Sequence, residues 1–310
     1  MLVALLAACA AADPPGHSKP APPSEANKED ARDEPTTTDP APTRDADHGE
    51  AASAKPGISG VVSRSRGDVL THEQEILLTE AEARIEQLSA GGRTDDERDE
   101  LADDAAKQLD DLLAKAPENA RAAYARAALY LREGNGAEAE RLARVALAHD
   151  DTNASYHARL GDALAAQDEH ADAVAAFAKA RDLDPAAHGL RYGIALLAAG
   201  RAQDAEKVFT QIADDDPEHF ENGVGIYTRL GDAVLAQGRH DDAIKHYMRA
   251  QSRYLSDKMA HAGAARAYEA KGETTKAIDE WSAYIRRDCC SEFSKTVAQD
   301  KLLELKGAEP

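Results

Sequence analysis

Large apolar side chains divide this chain into two regimes. Residues 10–57 contain no Val, Ile, Leu, Met, Phe, Tyr or Trp, and they hold nine of the thirteen prolines. A segment of that kind buries too little to offset the entropy of ordering it, so a disordered Pro/Ala/acidic tether is expected there. From residue 67 onward apolar and small residues return with the spacing of helices buried on one face. All fourteen aromatic residues fall between Tyr124 and Phe293, which places the foldable unit at 67–307. Thr71-x-x-Gln74 and Thr94-x-x-Glu97 each place a hydroxyl three residues before a side chain that can reach back to its amide, which predicts two capped helix starts. Near the other end Phe293, Val297, Leu302, Leu303 and Leu305 share a helical face. No strand-like alternation of useful length appears.

Internal spacing organises the middle of the chain. Pro117 and Pro185 are 68 residues apart, and Pro185 and Pro217 are 32 apart. Between them Leu160-Gly161, Leu164, Ala173, Phe177, Ala180 and Pro185 form one unit, and Tyr227, Leu230-Gly231, Gly238, Ala243, Tyr247 and Ala250 form another in the same frame. This pattern resembles the tetratricopeptide repeat, a helix pair of about 34 residues. The resemblance implies an all-α, right-handed α-solenoid of five to six helix pairs, with a divergent first repeat at 67–119 and repeats at 120–153, 154–187, 186–219, 224–257 and 258–291. A capping helix and tail are expected at 292–310. In this frame Gly161 and Gly231 are expected to meet Ala173 and Ala243 at the close helix crossing, with Phe177, Phe209, Tyr247 and Trp281 filling the gap to the next pair. Gly134, Gly200, Gly238 and Gly272 are expected to end first helices.

The first ten residues change where the protein is expected to work. Residues 1–8 are apolar and lead into Leu6-Ala7-Ala8-Cys9, which resembles the lipobox of bacterial lipoproteins. No Lys or Arg precedes the run, which departs from an ordinary secretory signal. The resemblance implies a signal peptide at 1–8, lipidation of Cys9, a tether at 9–66 and, because Ala10 rather than Asp comes after the cysteine, attachment to the outer membrane facing the periplasm. Eight apolar residues are far short of the roughly 20 needed to cross a bilayer as helix, so the anchor would be lipid. The competing reading is a soluble cytoplasmic adaptor with a disordered tail. The adjacent Cys289 and Cys290 do not make a Cys-x-x-Cys motif.

Charge and chemistry narrow the function further. There are 57 acidic against 37 basic residues, a formal charge of −20, which disfavours nucleic acid and direct attraction to anionic lipid. The sequence holds no Gly-x-Ser-x-Gly elbow, His-Glu-x-x-His pair, phosphate-binding loop or Gly-x-Gly-x-x-Gly, so no catalytic set, metal site, cofactor or small-molecule substrate is expected. What remains is the inner, concave face that tetratricopeptide stacks use for protein partners. Carried over by repeat position, it comprises Arg121, Tyr124, Arg132, Asp162, Leu190, Ile194, Asp232, Met259 and Arg266. Asp162 and Asp232 among apolar positions suggest a partner segment of some basic character. The expected function is a non-enzymatic scaffold in the cell envelope.

Overall fold

The computed structural model describes residues 70–88, 92–288 and 291–307. Cys9 with its lipobox, the expected tether, and Cys289 and Cys290 lie outside the described residues.

The described residues form six antiparallel helix pairs: α1 (His72–Leu88) with α2 (Asp95–Lys115), α3 (Ala120–Arg132) with α4 (Gly136–His149), α5 (Ala154–Ala165) with α6 (His170–Leu183), α7 (Pro185–Ala198) with α8 (Ala202–Asp215), α9 (Ile226–Ala236) with α10 (His240–Arg253), and α11 (Lys258–Lys271) with α12 (Thr274–Arg287). A π-helical stretch, Ser294–Ala298, runs into α13 (Gln299–Gly307). Each helix packs on the next in sequence, which makes the fold an all-α solenoid.

Local chemistry explains where the helices begin and end. Thr94 and Glu97 close the expected capping box, and Thr71 with Gln74 makes the same reciprocal bonds at the start of α1. Asn119, Asn135 and Asn153 cap α3, α4 and α5 through their side-chain oxygens, and Asp184 caps α7, which begins with Pro185. First helices end where Gly134, Gly200, Gly238 and Gly272 take φ values of 74 to 76°. That backbone region carries a steric penalty for any side chain, which is why glycine recurs there. Asp168, at φ 59°, makes the corresponding turn between α5 and α6.

The core shows what the small positions receive. A Cβ on Gly161 would meet the ring of Phe177 at 2.8 Å, and one on Gly231 would meet Tyr247 at 2.5 Å. The side chain that lies nearest each small position is therefore the aromatic of its own pair. Gly193 receives Phe209 in the same way, and Tyr247 also lies on Gly263 of the next pair. The last pair is closed by the expected terminal helix: Phe293 lies edge-on to Tyr284 with ring centres 5.5 Å apart and 6.4 Å from Trp281, and Leu302 and Leu305 join that cluster. Leu303, expected on the same face, is 69% exposed instead. The π-helical stretch precedes it, and the extra residue per turn rotates the face presented by α13.

One element was not expected. Two short strands, β1 (Phe220–Glu221) and β2 (Val224–Gly225), pair antiparallel across Asn222 and Gly223, whose φ values are 51° and 74°. Both central residues in the left-handed region make this the turn that Asn-Gly favours. Tyr254 fixes the hairpin by donating to the Pro217 carbonyl at 2.7 Å and by packing its ring against Phe220, tilted by 35° with centres 5.4 Å apart, and the Gly225 amide donates to Asp257 at 2.8 Å. Successive first helices touch one another along one face of the stack (α1 with α3, α3 with α5, α5 with α7, α9 with α11). Among the described residues α7 and α9, between which the chain runs through the hairpin, have no comparable contact.

Candidate protein-binding cleft

The face made by the first helices carries a polar cleft of about 250 Å³. Its walls come from three successive first helices and the hairpin: Tyr124 on α3; Ser155, Ala158 and Arg159 on α5; Ala187, His188 and Arg191 on α7; and Glu221 on β1. The small residues Ser155, Ala158 and Ala187 leave the space, and the longer side chains furnish it with charge.

The Tyr124 ring packs against Tyr156 with ring centres 5.3 Å apart, and the Arg159 guanidinium lies 4.7 Å over the centre of the Tyr124 ring. Such a placement holds a cation by the ring's quadrupole. Arg191 donates to Asp162 at 2.8 Å, while Arg159 stands 3.8 Å from the same Asp162 oxygen. Burial pushes the Asp162 carboxyl above its ordinary range, outweighing the pull of the two arginines. His188 is 9% exposed, and burial with the neighbouring Arg191 charge lowers its basicity, so its ring is neutral near pH 7. Its Nδ1 is buried without a hydrogen-bond partner among the described residues. Glu221 is half-exposed, with its carboxylate 3.7 Å from His219, which in turn stands 3.4 Å from Asp216.

Of the nine residues expected on the inner face, Tyr124 lines this cleft, and Asp162 supports it from beneath by holding Arg191. Arg121 bridges back to Glu75 and Glu82 on α1, and Arg132 to Asp99 on α2. Leu190 is 8% exposed and belongs to the core, with Ile194 packed against the same cluster. Asp232 is buried, accepting from the Tyr247 hydroxyl at 2.8 Å and from Arg266 at 3.4 Å, and Met259 packs near Trp281. Both carboxylates that suggested a basic partner are therefore compensated by arginines within the protein. Arg159, His188, Arg191 and Glu221 were not expected. Arg191 comes one residue after Leu190, which is expected on the inner face, and one residue on a helix is a turn of about 100°. A second depression, of about 330 Å³, runs along α1 beside Ile76 and Thr79.

Residues 97–155 and 228–288 match the tetratricopeptide repeat family model. These segments are tetratricopeptide repeats. Among curated proteins no sequence matches the chain. Among solved structures the fold is similar to that of a tetratricopeptide repeat protein from Parabacteroides merdae, at 14% identity and a TM-score of 0.57, over 76% of this chain and 84% of that one. It is similar also to PilW, a widely conserved type IV pilus biogenesis factor, at 20% identity and a TM-score of 0.58, over 74% of this chain and 99% of that one. PilF of Pseudomonas aeruginosa aligns at 15% identity with a TM-score of 0.53, over 76% of this chain and all of that one (100%). These tetratricopeptide folds share the stacked pairs; at such identities the likeness is one of fold.

Proposed function

We propose that this tetratricopeptide protein is a non-enzymatic scaffold of the bacterial cell envelope that receives segments of partner proteins on the face built by its first helices. The observation that carries the reading is the cleft itself: an aromatic ring and two arginines converge on an open space walled by three consecutive repeats. Aromatic and Arg side chains are the usual carriers of binding energy at protein interfaces. The sequence holds no Gly-x-Ser-x-Gly elbow, His-Glu-x-x-His pair or phosphate-binding loop to set against it. The same proposal includes attachment through lipid on Cys9, outer-membrane placement facing the periplasm, and service in assembling a pilus, secretion or cell-wall complex. PilW, a pilus biogenesis factor, has this fold.

The test has two arms. Chemical cross-linking in intact cells, with isolation of the full chain from the envelope fraction, should give discrete adducts that are lost when Tyr124→Ala and Arg191→Ala are combined while helical content is retained. Adducts unchanged in the double variant contradict the face assigned. Separately, Cys9→Ser should move the protein from the membrane to the soluble fraction, and a variant that stays with the membrane contradicts the lipid anchor.

A further inference from the structure

A guanidinium group carries five N–H donors and does not lose its charge in a protein. Buried, it is normally matched by acceptors, because an unmatched donor or charge away from water is costly. Arg159 departs from this. Its side chain is 18% exposed and its Nε is buried without a hydrogen-bond partner among the described residues. The nearest carboxylate oxygen, on Asp162, is 3.8 Å away and is already taken by Arg191 at 2.8 Å. Tyr124 covers a face of the guanidinium and accepts nothing from its edges. His188, in the same cleft, adds a second buried nitrogen with no partner. Arg159 is thus short of an acceptor at its Nε, the His188 nitrogen is donor or acceptor according to its tautomer, and the space in front of these groups is open.

We infer that this cleft is a subsite for one acidic side chain of an extended partner segment, whose carboxylate is received by Arg159 beside Arg191. A carboxylate presents two oxygens in the plane that a guanidinium edge matches, and the resulting charge-assisted bonds are stronger than neutral ones. Glu221 limits what enters. It lines the cleft and makes no ion pair with either arginine, its charged neighbour being His219 at 3.7 Å, so it stands as a negative wall that admits a single carboxylate and repels a second. The inference rests on the scaffold reading and narrows it, replacing a partner of basic character by one that offers a lone acidic residue.

The experiment uses the full chain and an array of N-acetylated, C-amidated decapeptides of randomised sequence, so that no free terminal carboxylate is present. The bound set should be enriched in Asp or Glu at one position, and changing that residue to Asn or Gln should weaken binding roughly tenfold or more. Arg159→Gln should weaken the same peptides by a similar factor, and Glu221→Gln should strengthen them, with circular dichroism and melting temperature of both variants close to wild type. The opposite signs separate a binding role from general damage. A bound set enriched in Lys or Arg, or without charge preference, or unaffected by Arg159→Gln, overturns the inference and leaves the scaffold reading standing. An array on which nothing binds also overturns it, while the scaffold reading is decided by the cross-linking in intact cells. A parallel array with free C-termini completes the test: binding seen only there requires a terminal carboxylate and overturns the inference as well.

Discussion

Gly231 and Gly189 both lie within first helices, yet substitution should move stability in opposite directions. Tyr247 is held on Gly231 by its bond to Asp232 and by Gly263 on its other side, so a Cβ arriving 2.5 Å from its ring cannot be accommodated by a small shift. Overpacking of this kind costs about 1–3 kcal/mol, offset in part by alanine's helix propensity of about 1 kcal/mol, so Gly231→Ala should lose on the order of 1–2 kcal/mol in urea unfolding. At Gly189 the nearest atom, on Ile212, is 3.8 Å away, and Gly189→Ala should raise the melting temperature. Histidines supply a second prediction at this scale. Burial holds His188 and His246 below the ordinary 6.5, against the pull of Asp184 and Asp162 on the first and of Glu206 and Asp242 on the second. The unfolded chain therefore binds protons first as pH falls, and the stability these residues contribute above 6.5 is lost on acidification toward their folded-state values. Replacing both by Gln should remove that part of the pH dependence of the melting temperature; an unchanged slope between wild type and variant contradicts it. The small positions were legible in the sequence, but which large residue each one admits was not, because a frame gives spacing along the chain and not the direction of a side chain across the gap.

Helix pairs were readable because many boundaries are written in local chemistry, Asn or Asp caps opening α3, α4, α5, α7 and α11 and left-handed glycines closing α3, α7, α9 and α11, while α6, α8, α9, α10 and α12 begin without a side-chain cap. The hairpin escaped because strands of two residues show no alternation, although Asn222-Gly223 is itself a hairpin signal. Its consequence for the site is direct: β1 brings Glu221 to a cleft made by α3, α5 and α7, a juxtaposition that repeat positions counted along the chain do not contain. At the other end of the stack the terminal helix covers Trp281, the single tryptophan and 1% exposed. Phe293→Ala should detach that cover, cost about 2 kcal/mol given its partial burial, and shift Trp281 fluorescence to the red. Leu303→Ser, on the exposed side, should leave both emission and melting unchanged.

Across the molecule, a formal charge of −20 coexists with a cleft where two arginines and an unpartnered histidine nitrogen meet. The sequence disclosed the net charge and the absence of catalytic motifs. The cleft needed the fold, since its arginines stand 32 residues apart in the chain and are brought together only by stacking α5 on α7. The central claim is that partners are received on the first-helix face. It is tested most directly by placing a photo-cross-linking amino acid at single exposed positions and illuminating living cells: at Ala187 on the rim of the cleft, and at Lys179 on α6 and Met248 on α10. A partner adduct at Ala187 with none at Lys179 or Met248 is the result expected; adducts at Lys179 or Met248 with none at Ala187 would contradict the account.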